Sequence, residues 1–306
     1  MRQEHRNRRV SRWTGVRGSP GLPAGVWWPV AAALACAGCA PSQVRLFVPQ
    51  AAPTTVPASY DTRDWATVLR ENVKDGLVDY DHLVAHREPL DRCLALLAVV
   101  GPRGAEDQFP SPADRLAYYL NAYNAGVLAA VLHEEIPPTM HDVHRRPLEQ
   151  GYLLRVDGQV WRLADLREAV RVESLGDARV EFCLCDGARG SPGLRPEPYR
   201  ADTLDETLRA VAREAMDSAR MVSIDHEEQS LRVGLTIWRR RQALLDYYRR
   251  ETGSASATLL NVLLHVAGGE RRQWLNTAVG YRVGVIPFDR ALNRWTRSPA
   301  GQGGGR

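Results

Sequence analysis

Apolar residues recur at three- and four-residue steps through Leu116, Tyr119, Tyr123, Val127 and Val131. That period lines one face of a helix. Ser111-Pro112-Ala113-Asp114 supplies an N-cap, a proline at the first helical position and an acid three residues on, and Pro137-Pro138 stops the run. Asn121 and Asn124 stand one turn apart on this helix, where asparagine is a poor choice unless its amide has a fixed partner. Similar periodicity predicts helices over 61–73, 90–99, 204–218, 237–251 and 257–267, with Gly268-Gly269 read as a helix C-cap. Alternation predicts strands over 153–156 and 159–163, joined by an Asp157-Gly158 turn, and a third over 180–185. Helices dominate and strands do not alternate with them, so the expected fold is α+β: a predominantly helical single domain with a small sheet including one hairpin.

The N-terminal pattern is of another kind. Arg2, Arg6, Arg8, Arg9, Arg12 and Arg17 precede an apolar run over 26–37, which falls short of the ~20 residues a membrane-spanning helix needs. The run closes on Leu34-Ala35-Cys36-Ala37-Gly38-Cys39, small residues before a cysteine that can be acylated after cleavage. Residues 1–39 therefore read as a signal peptide with a lipobox, and Cys39 as the lipidation site. An ordinary signal peptide using Ala35-Cys36-Ala37 is the alternative. The organisation expected beyond it is a Pro/Ala-rich tether over 40–59, one globular domain over 60–293 and a flexible Gly-rich tail over 294–306. The expected location is the cell envelope, with the domain periplasm-facing and membrane-anchored.

Charge narrows the partners. The chain is formally +4, but the leader alone holds six arginines against Glu4, which leaves the remainder close to neutral. Nucleic acid is thereby excluded as the expected partner, in favour of the membrane, through the lipid anchor, and an unknown protein or small molecule. Arg239-Arg240-Arg241 reads as a solvated helix face. Beyond the leader only Cys93, Cys183 and Cys185 remain, an odd set that cannot complete a disulfide framework and reads as core filler. His141-Asp142-Val143-His144 places two imidazoles and a carboxylate together, but the spacing is loose and further ligands are missing, so it reads as a surface loop. No pattern points to a metal or a cofactor.

Several segments in order resemble the bacterial branch of domain of unknown function family 547. They are Trp65 with Gly76-Leu77-Val78-Asp79-Tyr80, then Leu120-Asn121-Ala122-Tyr123-Asn124-Ala125, Arg155-Val156-Asp157-Gly158 with Leu163-Ala164-Asp165-Leu166, Asp177-Ala178-Arg179-Val180-Glu181-Phe182 leading into Ser191-Pro192-Gly193-Leu194-Arg195, and Phe288-Asp289-Arg290-Ala291-Leu292-Asn293. The resemblance spans roughly 61–293. It implies two cysteines in the central loop, where this chain has Asp186 and Ser191. It also implies a histidine where Glu181 stands, and a Glu-His pair where Arg167 and Glu168 stand. A thiol nucleophile paired with imidazole would lack both groups here. Ser191 as a nucleophile would need a base, and none of His82, His86, His133, His141, His144, His226 or His265 falls at a matching position. No catalytic residue is assigned.

The motifs instead supply a polar set, Asn121, Tyr123, Asn124, Asp186, Arg189, Ser191, Arg195, Asp289 and Asn293. It forms either a structural network clamping the closing segment onto the asparagine helix or the lining of a cleft. The expected function is a binding or scaffolding module at the membrane surface. The alternative is a hydrolase or acyl transferase whose thiol site has been replaced or relocated.

Overall fold

Pro112–His133 forms the helix signalled from Ser111, and its start is closed by a reciprocal capping box in which Ser111 Oγ accepts from the Asp114 amide while the Asp114 carboxylate accepts from the Ser111 amide. Every residue from Leu116 to Leu132 is buried, not only the predicted stripe. The other faces carry Ala117, Ala122, Ala125, Gly126, Ala129 and Ala130, small enough to let neighbouring elements pack against the helix all round. At Gly126 an added Cβ would lie 2.8 Å from both Leu154 and Leu163.

The computed structural model describes residues 45–47, 59–139 and 151–296, which lie in the unit 43–306. The readings of 1–39, Cys39, His141, His144 and the tail beyond 296 lie outside the described residues. In chain order the elements are β1 (Arg45–Phe47), α1 (Arg63–Asn72), β2 (Val73–Lys74), β3 (Leu77–Val78), α2 (Tyr80–Ala85), α3 (Glu88–Val99), α4 (Pro112–His133), β4 (Tyr152–Val156), β5 (Gln159–Arg162) and α5 (Leu163–Glu173). A 3-10 turn over Ala178–Phe182 follows, then α6 (Leu204–Asp217), β6 (Val222–Asp225), β7 (Ser230–Val233), α7 (Leu235–Arg239), α8 (Arg241–Thr252), α9 (Leu259–Val266), α10 (Gly269–Asn276) and β8 (Arg282–Val285).

The described strands form three small sheets, β1-β4-β5, β2-β3 and β6-β7-β8, and the fold is α+β, mainly helical. The predicted hairpin is β4-β5, with Val156 opposite Gln159 and left-handed backbone at Asp157 (φ 51°) and Gly158 (φ 70°), the conformation a two-residue hairpin turn demands.

Three expectations change. Residues 180–185 are not a strand: the Asp177 carboxylate accepts from the Arg179 amide and starts the 3-10 turn, and the main chain that follows is held by side chains of α4. The helix over 237–251 is two, broken at Arg240. Gly268-Gly269 opens α10, with Gly269 at φ +43°, after α9 has already ended in extended backbone at Ala267. Two described contacts lie outside 60–293. β1, inside the segment read as tether, pairs in parallel with β4, and Trp295, inside the segment read as tail, donates its indole N–H to Asn72 O and its amide to Val78 O.

Candidate functional site

α4 holds the main chain of 183–199 at two points. Asn124 accepts from the Cys185 amide at 3.2 Å and donates to Cys183 O at 3.0 Å and to its own Leu120 O at 3.0 Å. One turn earlier Asn121 accepts from the Tyr199 amide at 2.9 Å and from Trp65 Nε1 at 3.1 Å, and donates to Tyr199 O at 2.9 Å. Both amides are buried and fully engaged. An amide side chain carries a donor and an acceptor side by side, so it can pair with a peptide unit as another strand would.

Between those points the loop 186–191 is closed from within and from outside. Ser191 Oγ donates to Ala188 O at 2.7 Å, and the Asp186 carboxylate accepts from the Ala188 amide at 3.1 Å. From outside, the closing motif pairs with it. The Arg189, Gly190 and Asn293 amides donate to Ala291 O, Asp289 O and Gly187 O, each at 2.8 Å, with Ala188 and Leu292 forming an antiparallel bridge. Gly190 has no room for a side chain, since a Cβ would lie 2.7 Å from the Asp289 amide nitrogen. Buried Asn293 accepts from Tyr80 Oη at 2.7 Å and donates to Cys185 Sγ at 3.3 Å, and its carbonyl accepts from the Val78 amide at 2.8 Å. The clamp on the closing segment is therefore made by Asn293, Tyr80 and the loop backbone, not by the two asparagines of α4.

The other members of the polar set lie around this knot. Tyr123 Oη accepts from Arg167, whose guanidinium also lies 5.1 Å from the Tyr123 ring centroid. Asp289 is exposed and its carboxylate accepts from the Ala291 amide in its own turn. Arg195 donates to Glu197, and exposed Arg189 donates to Arg294 O at 3.1 Å. Tyr80, Tyr199 and Trp65 were not in the predicted site. Tyr80 and Trp65 stood in the opening motif, but no spacing in the sequence ties them to residues more than fifty positions away.

The positions where the resemblance implies histidine do not join the loop. Glu181, 3% exposed, is held by Arg171 Nε at 2.8 Å and Arg240 Nε at 2.7 Å. Burial pushes its carboxyl up, but the two arginines more than offset this and hold it below the usual glutamate range. Glu168 is exposed beside Arg171. Cys185 Sγ lies 3.9 Å from Ser191 Oγ, and burial pushes its thiol up to about 11 and that of Cys183 up to about 12. The described histidines pair elsewhere: His82 with Asn72, His86 with His82 O, His133 with the Tyr152 ring, His226 with Tyr281 and His265 with the rings of Tyr247 and Tyr248. Among the described residues no group of three or more His, Cys, Asp or Glu could hold a metal, and no helix is long and apolar enough to cross a membrane.

Two grooves are lined in part by this loop. One, about 660 Å³, is lined by Leu77, Pro137, Pro138, Arg189, Arg294 and Trp295 among others. The second, about 470 Å³, has Phe182, Val211 and Met221 in its lining, with Asp75, Glu197 and Glu214 as its acids. The loop is positioned by the contact of Gly76, at φ +77°, with Gly193, where a Cβ on either would lie 2.9 Å from the other's Cα. Backbone cannot rotate away as a side chain can. Gly193→Ala is therefore expected to lower stability by about 1–3 kcal/mol, the usual range for overpacking. Thermal denaturation would show this as a fall in Tm of several degrees, and an unchanged Tm would mean that the loop moves freely against β2-β3.

Residues 108–214 match the model of a family described as Protein of unknown function, DUF547. The match covers α4, α5, the 3-10 turn, the loop and most of α6. The motifs at 65–80 and 288–293 lie outside it, yet the fold brings both against the loop. No curated protein and no solved structure matches the chain.

Proposed function

We propose, from the premise that residues 108–214 belong to the DUF547 family, that the domain is a binding module whose recognition element is the loop 186–195. In this reading a lipid on Cys39 holds it at a membrane surface, exported and periplasm-facing, and its ligand is a protein or a small molecule, not nucleic acid. The observation that carries it is the division of labour in the loop. The side chains of Asn121, Asn124, Ser191 and Asn293 bond the protein itself and fix the loop's shape, while residues of the loop line two grooves. A rigid loop bordered by grooves is suited to recognition, because little ordering is left to be done on binding.

The second reading, a hydrolase or acyl transferase with a relocated thiol, draws on Cys185 beside Ser191 and Asn293. It would require a thiolate. With the thiol pushed up to about 11, on the order of one molecule in ten thousand is ionised at neutral pH. Intact-mass measurement on membrane-extracted protein treated with an alkylating reagent tests both parts. The expected result is a chain starting at acylated Cys39 with Cys93, Cys183 and Cys185 unmodified until the protein is unfolded. An unlipidated start would remove the anchor from the proposal. Fast native labelling of Cys185 would replace the binding module with the thiol enzyme.

A further inference from the structure

We propose that the groove bounded by Arg189, Arg294 and Trp295 is an oxyanion site that takes a phosphate-bearing ligand. The inference rests on the binding-module reading and names the ligand class of one of its two grooves. The protein's arginines mostly reach carboxylates, as in Arg63–Asp61, Arg92–Asp64, Arg115–Glu173, Arg179–Asp177, Arg209–Asp205 and Arg282–Glu228. Arg189 does not. It is exposed, lines the groove and donates one N–H to Arg294 O, and no carboxylate among the described residues pairs with its guanidinium.

A second arginine lines the same groove, and a lysine lies against its aromatic wall. Arg294 pairs with Asp81 through Nη2, while its Nε is buried and has no hydrogen-bond partner. A buried N–H left without an acceptor costs ~1–3 kcal/mol, so the pair with Asp81 leaves Arg294 incompletely satisfied. Lys74, the only lysine in the chain, holds its ammonium 5.8 Å from the centroid of the Trp295 ring that lines the groove.

No carboxylate is among the described residues that line this groove, whereas Asp75, Glu197 and Glu214 line the second. Arg189 and Arg294 line the groove and Asp81 pairs with Arg294, which leaves one positive charge in the lining for an anionic oxygen, with Lys74 against the Trp295 ring. Guanidinium forks bind phosphate through paired N–H bonds. Leu77, Pro137 and Pro138 line the same groove and would contact whatever apolar group bears the phosphate.

Two probes separate the sources of such a group: inorganic pyrophosphate, and a short-chain phosphatidic acid kept in monomeric solution. Calorimetric titration of the mature chain is expected to show saturable binding that weakens with salt. Arg189→Ala should weaken it by roughly tenfold or more and Arg189→Lys by less, whereas Arg209→Ala, remote on α6, should leave it unchanged. Tighter binding of the phosphatidic acid would assign the source to lipid headgroups, and comparable binding of both would assign it to soluble phosphates. Either supports the site. The absence of saturable binding to both probes, or binding indifferent to Arg189→Ala, would overturn it. That failure would leave the module reading standing, since thiol accessibility tests that reading independently.

Discussion

Asn124→Leu is expected to destabilise the protein by about 3 kcal/mol, although leucine keeps the branching of the asparagine side chain and suits a buried helix face. The substitution strands the Cys185 amide and removes a donor from Cys183 O, both in an environment closed to water. Each orphaned buried group costs ~1–3 kcal/mol. Urea titration would report a lower midpoint with an unchanged slope, since the surface exposed on unfolding stays the same. Hydrogen exchange at the Cys185 amide should accelerate in step. A loss below about 1 kcal/mol would mean that the main chain at 183–185 finds other partners, and the clamp from α4 would then not be what shapes the loop.

Glu181→Gln is expected to cost about 3 kcal/mol at neutral pH, because it leaves Arg171 and Arg240 facing a neutral group in a largely buried setting. The pH dependence distinguishes this from lost packing. The folded carboxyl is held below its unfolded value, so its contribution is complete above the unfolded pKa of about 4.3 and is lost as pH falls through the folded value. The stability gap between wild type and variant should therefore be constant near neutrality and narrow below about pH 4. A gap that persists unchanged in acid would show that shape, not charge, is what Glu181 supplies.

The two variants report on positions that the resemblance treats alike and the fold treats differently. Asn124 stands in the motif that matched most closely, and it is joined to the loop directly. Glu181 stands where a histidine is implied, and it is paired with Arg171 of α5 and with Arg240 at the break between α7 and α8, away from the loop. A chain with this glutamate in place of an imidazole has a structural reason to keep it that involves no chemistry at the loop.

The local signals were legible. Ser111, Pro112 and Asp114 fixed the start of α4, Asp157-Gly158 fixed the β4-β5 hairpin, and the apolar periodicity placed most of the other long helices within a few residues. Each of these depends on interactions within one turn or between adjacent strands, which is the range over which sequence spacing is informative. The presence of Asn121 and Asn124 within a helix also announced fixed partners, correctly.

What their partners are, only the tertiary structure decided. Asn121 meets Tyr199, Asn124 meets Cys183 and Cys185, and Tyr80 meets Asn293 across most of the chain, because a buried amide or hydroxyl takes whatever donor or acceptor the packing delivers. The alternation over 180–185 misled for the same reason. An apolar run reads as a strand when it has an edge to pair with, and here side-chain amides of α4 took the place of that edge, leaving irregular backbone. Composition, periodicity and capping determined the helices and the hairpin of this protein. The position of its loop, the engagement of its polar side chains and the exposure of Arg189 beside Arg294 were set by contacts between segments that the sequence keeps far apart.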